Sequence, residues 1–176
     1  MLMRKINAII SLLTTLFLLD HAMFTSVWML SRGSVAQSAP MVPWILAGLV
    51  ALHAFISIDL VISSHMEGER RKVKSYPSMN GATIFQRVSG ILLIVFTALH
   101  IAGASGAMQP PQIVHAIVPP LFFAIALAHA AVSTDKALIT LGIGNARFIK
   151  AVGVIVKVLC AATLVAATIG FYLYVW

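Results

Sequence analysis

The chain has 176 residues, 60% of them hydrophobic and only 10% charged, and its mean hydropathy is +0.99. Soluble domains carry about 25% charged residues and keep their apolar runs short, so this composition excludes an ordinary water-soluble enzyme and makes a lipid bilayer the expected solvent. The formal charge of +7 does not indicate a nucleic-acid binder, because the basic residues fall between apolar runs and build no face interleaved with aromatics.

Five apolar runs, each of about 20 residues or more and so long enough to span a bilayer, lie at about 6–30, 43–63, 84–104, 114–133 and 148–175. They predict an all-α polytopic membrane protein, five transmembrane helices in one bundle, with no room for a separate soluble domain. The first run follows Arg4 and Lys5 and continues past Asp20 and His21. A secretory signal peptide over residues 1–39, ending at "SVAQSA", is the competing reading. It is disfavoured because the run is too long for a signal-peptide core and its removal would leave four helices with their basic loops still to be placed. The second run carries His53 and Asp59 and leads into a charged connection over 65–81 that begins with His65. The third, "QRVSGILLIVFTALHI", carries Arg87, Ser89 and His100. The fourth, after "GAMQPPQ", carries His115 near its start and His129 further on. The fifth, after "LGIGNAR", carries Lys157 and Cys160. A single cysteine excludes an intrachain disulfide and any cysteine-based zinc or iron–sulfur site.

The basic residues orient the bundle. With five spans, Arg4, Lys5, Arg70, Arg71, Lys72, Lys74, Arg87, Lys136, Arg147 and Lys150 fall on one side, Arg32 alone falls on the other, and Lys157 lies within the fifth span. The side rich in lysine and arginine is the cytoplasmic one, which predicts a multi-pass protein of the cell (inner) membrane with its N-terminus in the cytoplasm and its C-terminus outside. Trp28, Trp44, Tyr172, Tyr174 and Trp176 then all fall at the outer interface, where amphipathic aromatic rings favour the headgroup level.

The six histidines carry most of the functional information. His65 and His115 fall near the ends of spans and read as solvated interfacial residues. His21, His53, His100 and His129 fall one in each of the first four spans. An ionisable side chain inside a membrane is costly and marks a pathway or a cofactor by default. A single buried histidine is as well explained by a hydrogen bond to a neighbouring helix; four in four successive helices are not. Neutral imidazole is a good axial ligand for haem iron, and helical bundles build cofactor sites from side chains on facing helices.

At 1.5 Å per residue, His21 and His100 lie roughly 22 and 24 Å from the cytoplasmic edges of their helices, whereas His53 lies at roughly 15 Å and His129 at roughly 8 Å. The first two are level and can share one iron. The second two match less closely but both lie nearer the cytoplasm, so two iron sites are expected, one in each half of the membrane. The surroundings "LLDHAM", "ALHAF", "ALHIAG" and "LAHAA" place alanine or glycine beside each histidine, which allows a flat macrocycle to approach. No Cys-x-x-Cys-His is present, so the haem would be b-type. A bis-histidine iron keeps no open position and would carry electrons without binding oxygen.

Five spans, an inside N-terminus and one histidine in each of the first four helices resemble the di-haem cytochrome b anchor subunit of succinate dehydrogenases and fumarate reductases. The segment "QRVSGILLIVFTALHI" is similar to the Arg-x-Ser-Gly…His pattern of those anchors. The resemblance implies that His21 and His100 ligate an outer haem and His53 and His129 an inner one. It also implies that a flavoprotein subunit and an iron–sulfur subunit dock on the cytoplasmic face, and that electrons pass between them and a quinone, often menaquinone. The chain itself would not act on succinate or fumarate. Arg87 and Lys157 fall in the inner half, where a cation could meet the propionates of the inner haem; snorkelling to the interface explains Arg87 equally well. Some two-haem members carry an intrahelical glutamate that couples proton movement to electron transfer. Here the fourth span has no carboxylate before Asp135, so that coupling does not carry over. Two other functions fit the same histidines: a haem b anchor for another respiratory oxidoreductase, of the hydrogenase or formate dehydrogenase type, and a haem-free transporter that uses the histidines as a proton relay.

Overall fold

The computed structural model describes residues 2–35, 39–70, 81–107 and 112–175. Arg71, Lys72, Lys74 and Trp176, and the side chains of His65 and His115, lie outside the described residues. Five helices account for nearly all of the rest: α1 (Leu2–Leu30), α2 (Val42–Arg70), α3 (Gly81–Ala104), α4 (Gln112–Leu141) and α5 (Ala146–Val175). All five are long and apolar enough to cross a membrane, and no strand occurs among the described residues. Leu16, Phe55, Ile139 and Val158 stand on the outside of the bundle at 61 to 73% exposure. An apolar surface of this kind is stable against lipid and would drive association in water. The chain is an all-α multi-pass membrane protein.

Two helices run further than the apolar runs suggest, α2 to Arg70 and α4 to Leu141 where the hydropathy falls at 63 and 133. Apolar length marks where the hydrocarbon ends; a helix continues past it while its backbone ladder and polar side chains stay satisfied. In α4 the Thr134 hydroxyl donates to the Ala130 carbonyl at 2.9 Å, and the helix stops where Gly142 adopts a left-handed conformation (φ 70°). There the Ile143 amide donates back to the Leu138 carbonyl, a glycine-terminated cap. Asn145 opens α5, its Oδ1 accepting from the Phe148 amide at 2.9 Å.

Packing follows small residues. Ala22 of α1, Phe123 of α4 and Ala167 of α5 form the most buried apolar cluster, and a β-carbon at Gly170 of α5 would sit 3.1 Å from the Ser26 carbonyl of α1. Close helix approach through alanine, serine and glycine is how membrane helices gain van der Waals contact when lipid is as apolar as leucine. α5 packs on α1 and α4; α1 also packs on α2 and α4, and α4 on α3, whereas α2 and α3 barely touch. The first four helices thus stand in the order α2, α1, α4, α3 around a common space, with α5 outside it. α1 faces α3, and α2 faces α4, across that space.

Candidate cofactor site

The space between α1, α2, α3 and α4 is a cavity of about 800 Å³, toward the upper end of the range for small-molecule and cofactor sites. His21, His53, His100 and His129 all line it, together with Arg87, Gly90, Ala54, Ala126 and a largely aliphatic wall. The four intrahelical histidines therefore share one chamber.

They fall into two pairs. His21 and His100 are close enough that a charge on one is felt by the other, and so are His53 and His129. Each pair joins diagonally opposed helices, α1 with α3 and α2 with α4. Diagonal helices present imidazoles from opposite sides of a plate standing between them, as two axial ligands of one metal must; neighbouring helices would present them from the same side. Along α3, a β-carbon built on Gly90 would lie 3.5 Å from the His129 ring. His100 lies ten residues further on, about 15 Å at the helical rise. The inner and outer pairs are thus distinct sites stacked along the bundle.

The surroundings of the two pairs differ. At the outer pair the His100 ring lies 5.2 Å from that of Phe122, which continues into Phe96 and Phe123, and the Asp20 carboxylate is near His21. At the inner pair the Asn7 backbone carbonyl is beside His53, Asn7 Nδ2 donates to Ser57 Oγ at 3.1 Å, and His129 Nδ1 lies 2.7 Å from Ser89 Oγ. The Nδ1 atoms of His21 and His53 are buried without a hydrogen-bond partner.

A polar cluster closes the inner end of the cavity. Lys136 Nζ donates to Gln86 Oε1 at 2.7 Å and to Thr83 Oγ1 at 3.1 Å, and Gln86 Nε2 donates to Ser133 Oγ at 2.9 Å. Arg87, which lines the same end, is near enough to Lys136 for the two positive charges to repel. No aspartate or glutamate lines the cavity among the described residues, so this end has an excess of positive charge.

Of the residues singled out by sequence, the structure brings His21, His53, His100, His129 and Arg87 together. It does not bring Lys157. That side chain projects on the α4–α5 side, where its Nζ donates to Asp135 Oδ2 at 2.8 Å, and Gly153 leaves the room that the Asp135 carboxylate occupies. The cation beside Arg87 is instead Lys136, which lies just past the end of the fourth apolar run at 133. Seven residues beyond His129, it lies close to the same face of a continuing helix, a signal that needed only the helix to be extended.

Among the described residues no three histidine, cysteine or acidic side chains converge on one point. A bare transition-metal ion needs three or four protein ligands. A pair of imidazoles suits a metal that brings its own equatorial ligands, as haem iron does. The residues present fit haem in three ways: paired imidazoles, a wall of small residues at Gly90, Ala54 and Ala126, and a cation, Arg87, at one end with Lys136 beside it for anionic substituents. No protein-family model, curated protein or solved structure matches the chain.

Proposed function

We propose that the chain is a di-haem cytochrome b, the membrane anchor and electron-transfer subunit of a succinate dehydrogenase or fumarate reductase. It would link a quinone in the bilayer, menaquinone in many such enzymes, to flavoprotein and iron–sulfur subunits on the cytoplasmic side. The observation that carries the reading is the diagonal pairing of four histidines around one cavity. The "QRVSG…H" resemblance is what directs it toward succinate and fumarate rather than another respiratory partner.

When bound, haem b supplies a one-electron carrier. The rest is the work of this chain. His21 with His100 would hold the outer group, and His53 with His129 the inner one. Arg87 in the lining, with Lys136 beside it, would neutralise the propionates of the inner group, a task that two carboxylates in a low-dielectric cavity require. The aliphatic wall would keep water away from the histidine pairs. Ser11, Thr14 and Thr15 add only hydroxyls to the inner half of the lining, and those of Thr14 and Thr15 are spent on the carbonyls four residues back, so the wall stays free of competing ligands.

A pyridine haemochrome assay on the purified complex tests the reading. Two b haems per copy of the chain are expected. A value near zero contradicts it and leaves the histidines to a haem-free role such as proton relay.

A further inference from the structure

One of the four imidazoles, His129, is held by a buried side-chain hydroxyl. Ser89 of α3 is 3% exposed, and its hydroxyl makes two short contacts, 2.6 Å to the Phe85 carbonyl and 2.7 Å to His129 Nδ1. A carbonyl can only accept, so the hydroxyl proton goes to Phe85. The Ser89 oxygen is then left to accept, and His129 must supply the proton from Nδ1. The chain Nδ1–H to Ser89 to Phe85 carbonyl thus selects one tautomer and leaves the Nε2 lone pair free. Gly90 follows at once, with the edge of the His129 ring 3.5 Å from where its β-carbon would be, so α3 both holds the ring from one side and leaves space beside it. His21 and His53 have no such anchor at Nδ1.

We propose that Ser89 is a positioning residue for the inner site: it fixes the tautomer and plane of His129 and, by accepting the Nδ1 proton, makes that imidazole a stronger electron donor to its metal. The proposal rests on the haem reading above. A hydrogen bond from the distal nitrogen of a metal-bound imidazole raises its basicity, and such outer partners are commonly worth 10- to 100-fold in metal affinity or activity. Stronger donation favours the oxidised metal, so Ser89 lowers the reduction potential of the inner haem and leaves the outer haem, 15 Å away or so by the helical rise, unaffected.

The test is a redox titration of the haem absorbance of the intact complex, with Ser89→Ala, Ser89→Thr and Ser89→Cys compared with the parent. In Ser89→Ala the oxidised-to-reduced ratio of the inner haem at a fixed ambient potential should fall about tenfold, equivalent to about 59 mV for one electron. The outer haem should titrate as before. Ser89→Thr keeps the hydroxyl and should restore the parent value; Ser89→Cys, a weaker acceptor of similar size, should fall between. Selective loss of the inner haem in Ser89→Ala supports the same role. Unchanged potentials for both haems in Ser89→Ala and Ser89→Cys, or equal shifts of both haems, overturn the proposal while leaving the haem reading intact. A parent complex without haem overturns both.

Discussion

An imidazole in the hydrocarbon layer has two nitrogens to satisfy and no water to help. At His129 one of them is met by Ser89, at His53 the Asn7 backbone carbonyl is close by, and the Nδ1 atoms of His21 and His53 are buried without a hydrogen-bond partner. The difference in anchoring is invisible in the sequence, where each of the four histidines simply has an alanine or glycine close by. The cationic end of the cavity is a second residue-scale feature with a direct consequence. Lys136→Gln removes the charge and shortens the reach, so binding of the inner haem should weaken roughly 10- to 100-fold, the scale of a lost charge-assisted contact of about 1.5–3 kcal/mol. The outer haem should be retained. Spectral titration of the complex with haem after extraction would measure it, and an unchanged inner-haem affinity would remove Lys136 from the site.

Helices set which residues can meet. Because α5 packs on α1 and α4 outside the ring, Lys157 is displaced from the cavity to the bundle's flank, and its partner becomes Asp135. Sequence reasoning placed Lys157 near the inner haem from depth alone. Depth along a helix is legible from residue counting, but the azimuth of a helix that is apolar on nearly every side is not, because hydrophobic periodicity that would show it is blurred when both core and lipid are apolar. For the same reason the five spans were legible and the ends of α2 and α4 were not. The Asp135–Lys157 pair makes its own prediction. Asp135 Oδ1 is buried without a hydrogen-bond partner, so Lys157→Met should leave the carboxylate uncompensated and lower stability by roughly 1–3 kcal/mol. Asp135→Asn combined with Lys157→Met should recover much of the loss. Thermal unfolding in detergent followed by circular dichroism would show this, and both variants should keep two haem spectra; loss of a haem would tie the pair to the cavity after all.

At the scale of the whole molecule, one end of the bundle collects the positive charge. Arg4 and Lys5 of α1, Arg87 of α3, Lys136 of α4, and Arg147 and Lys150 of α5 all lie toward it, while Arg32 lies at the other. At that opposite end Trp28 packs on Tyr174 with ring centroids 4.9 Å apart. Reporter fusions at the α2–α3 connection and at the C-terminus should therefore read inside and outside, respectively; the reverse would exchange the inner and outer labels of the two histidine pairs and the face on which soluble subunits dock. The cavity itself could be anticipated from four histidines in four helices, and the level placement of His21 and His100 from the helical rise. The pairing of His53 with His129 followed less closely, because their depths depend on where α2 and α4 end. The pairing is the central claim, and the redox-resolved haem content of the four single alanine variants tests it most directly. His21→Ala and His100→Ala should each lose, or leave five-coordinate, one and the same haem; His53→Ala and His129→Ala should each disturb the other one and spare the first. Loss of the same titrating haem in His100→Ala and His129→Ala, with His21→Ala unaffected, would contradict it.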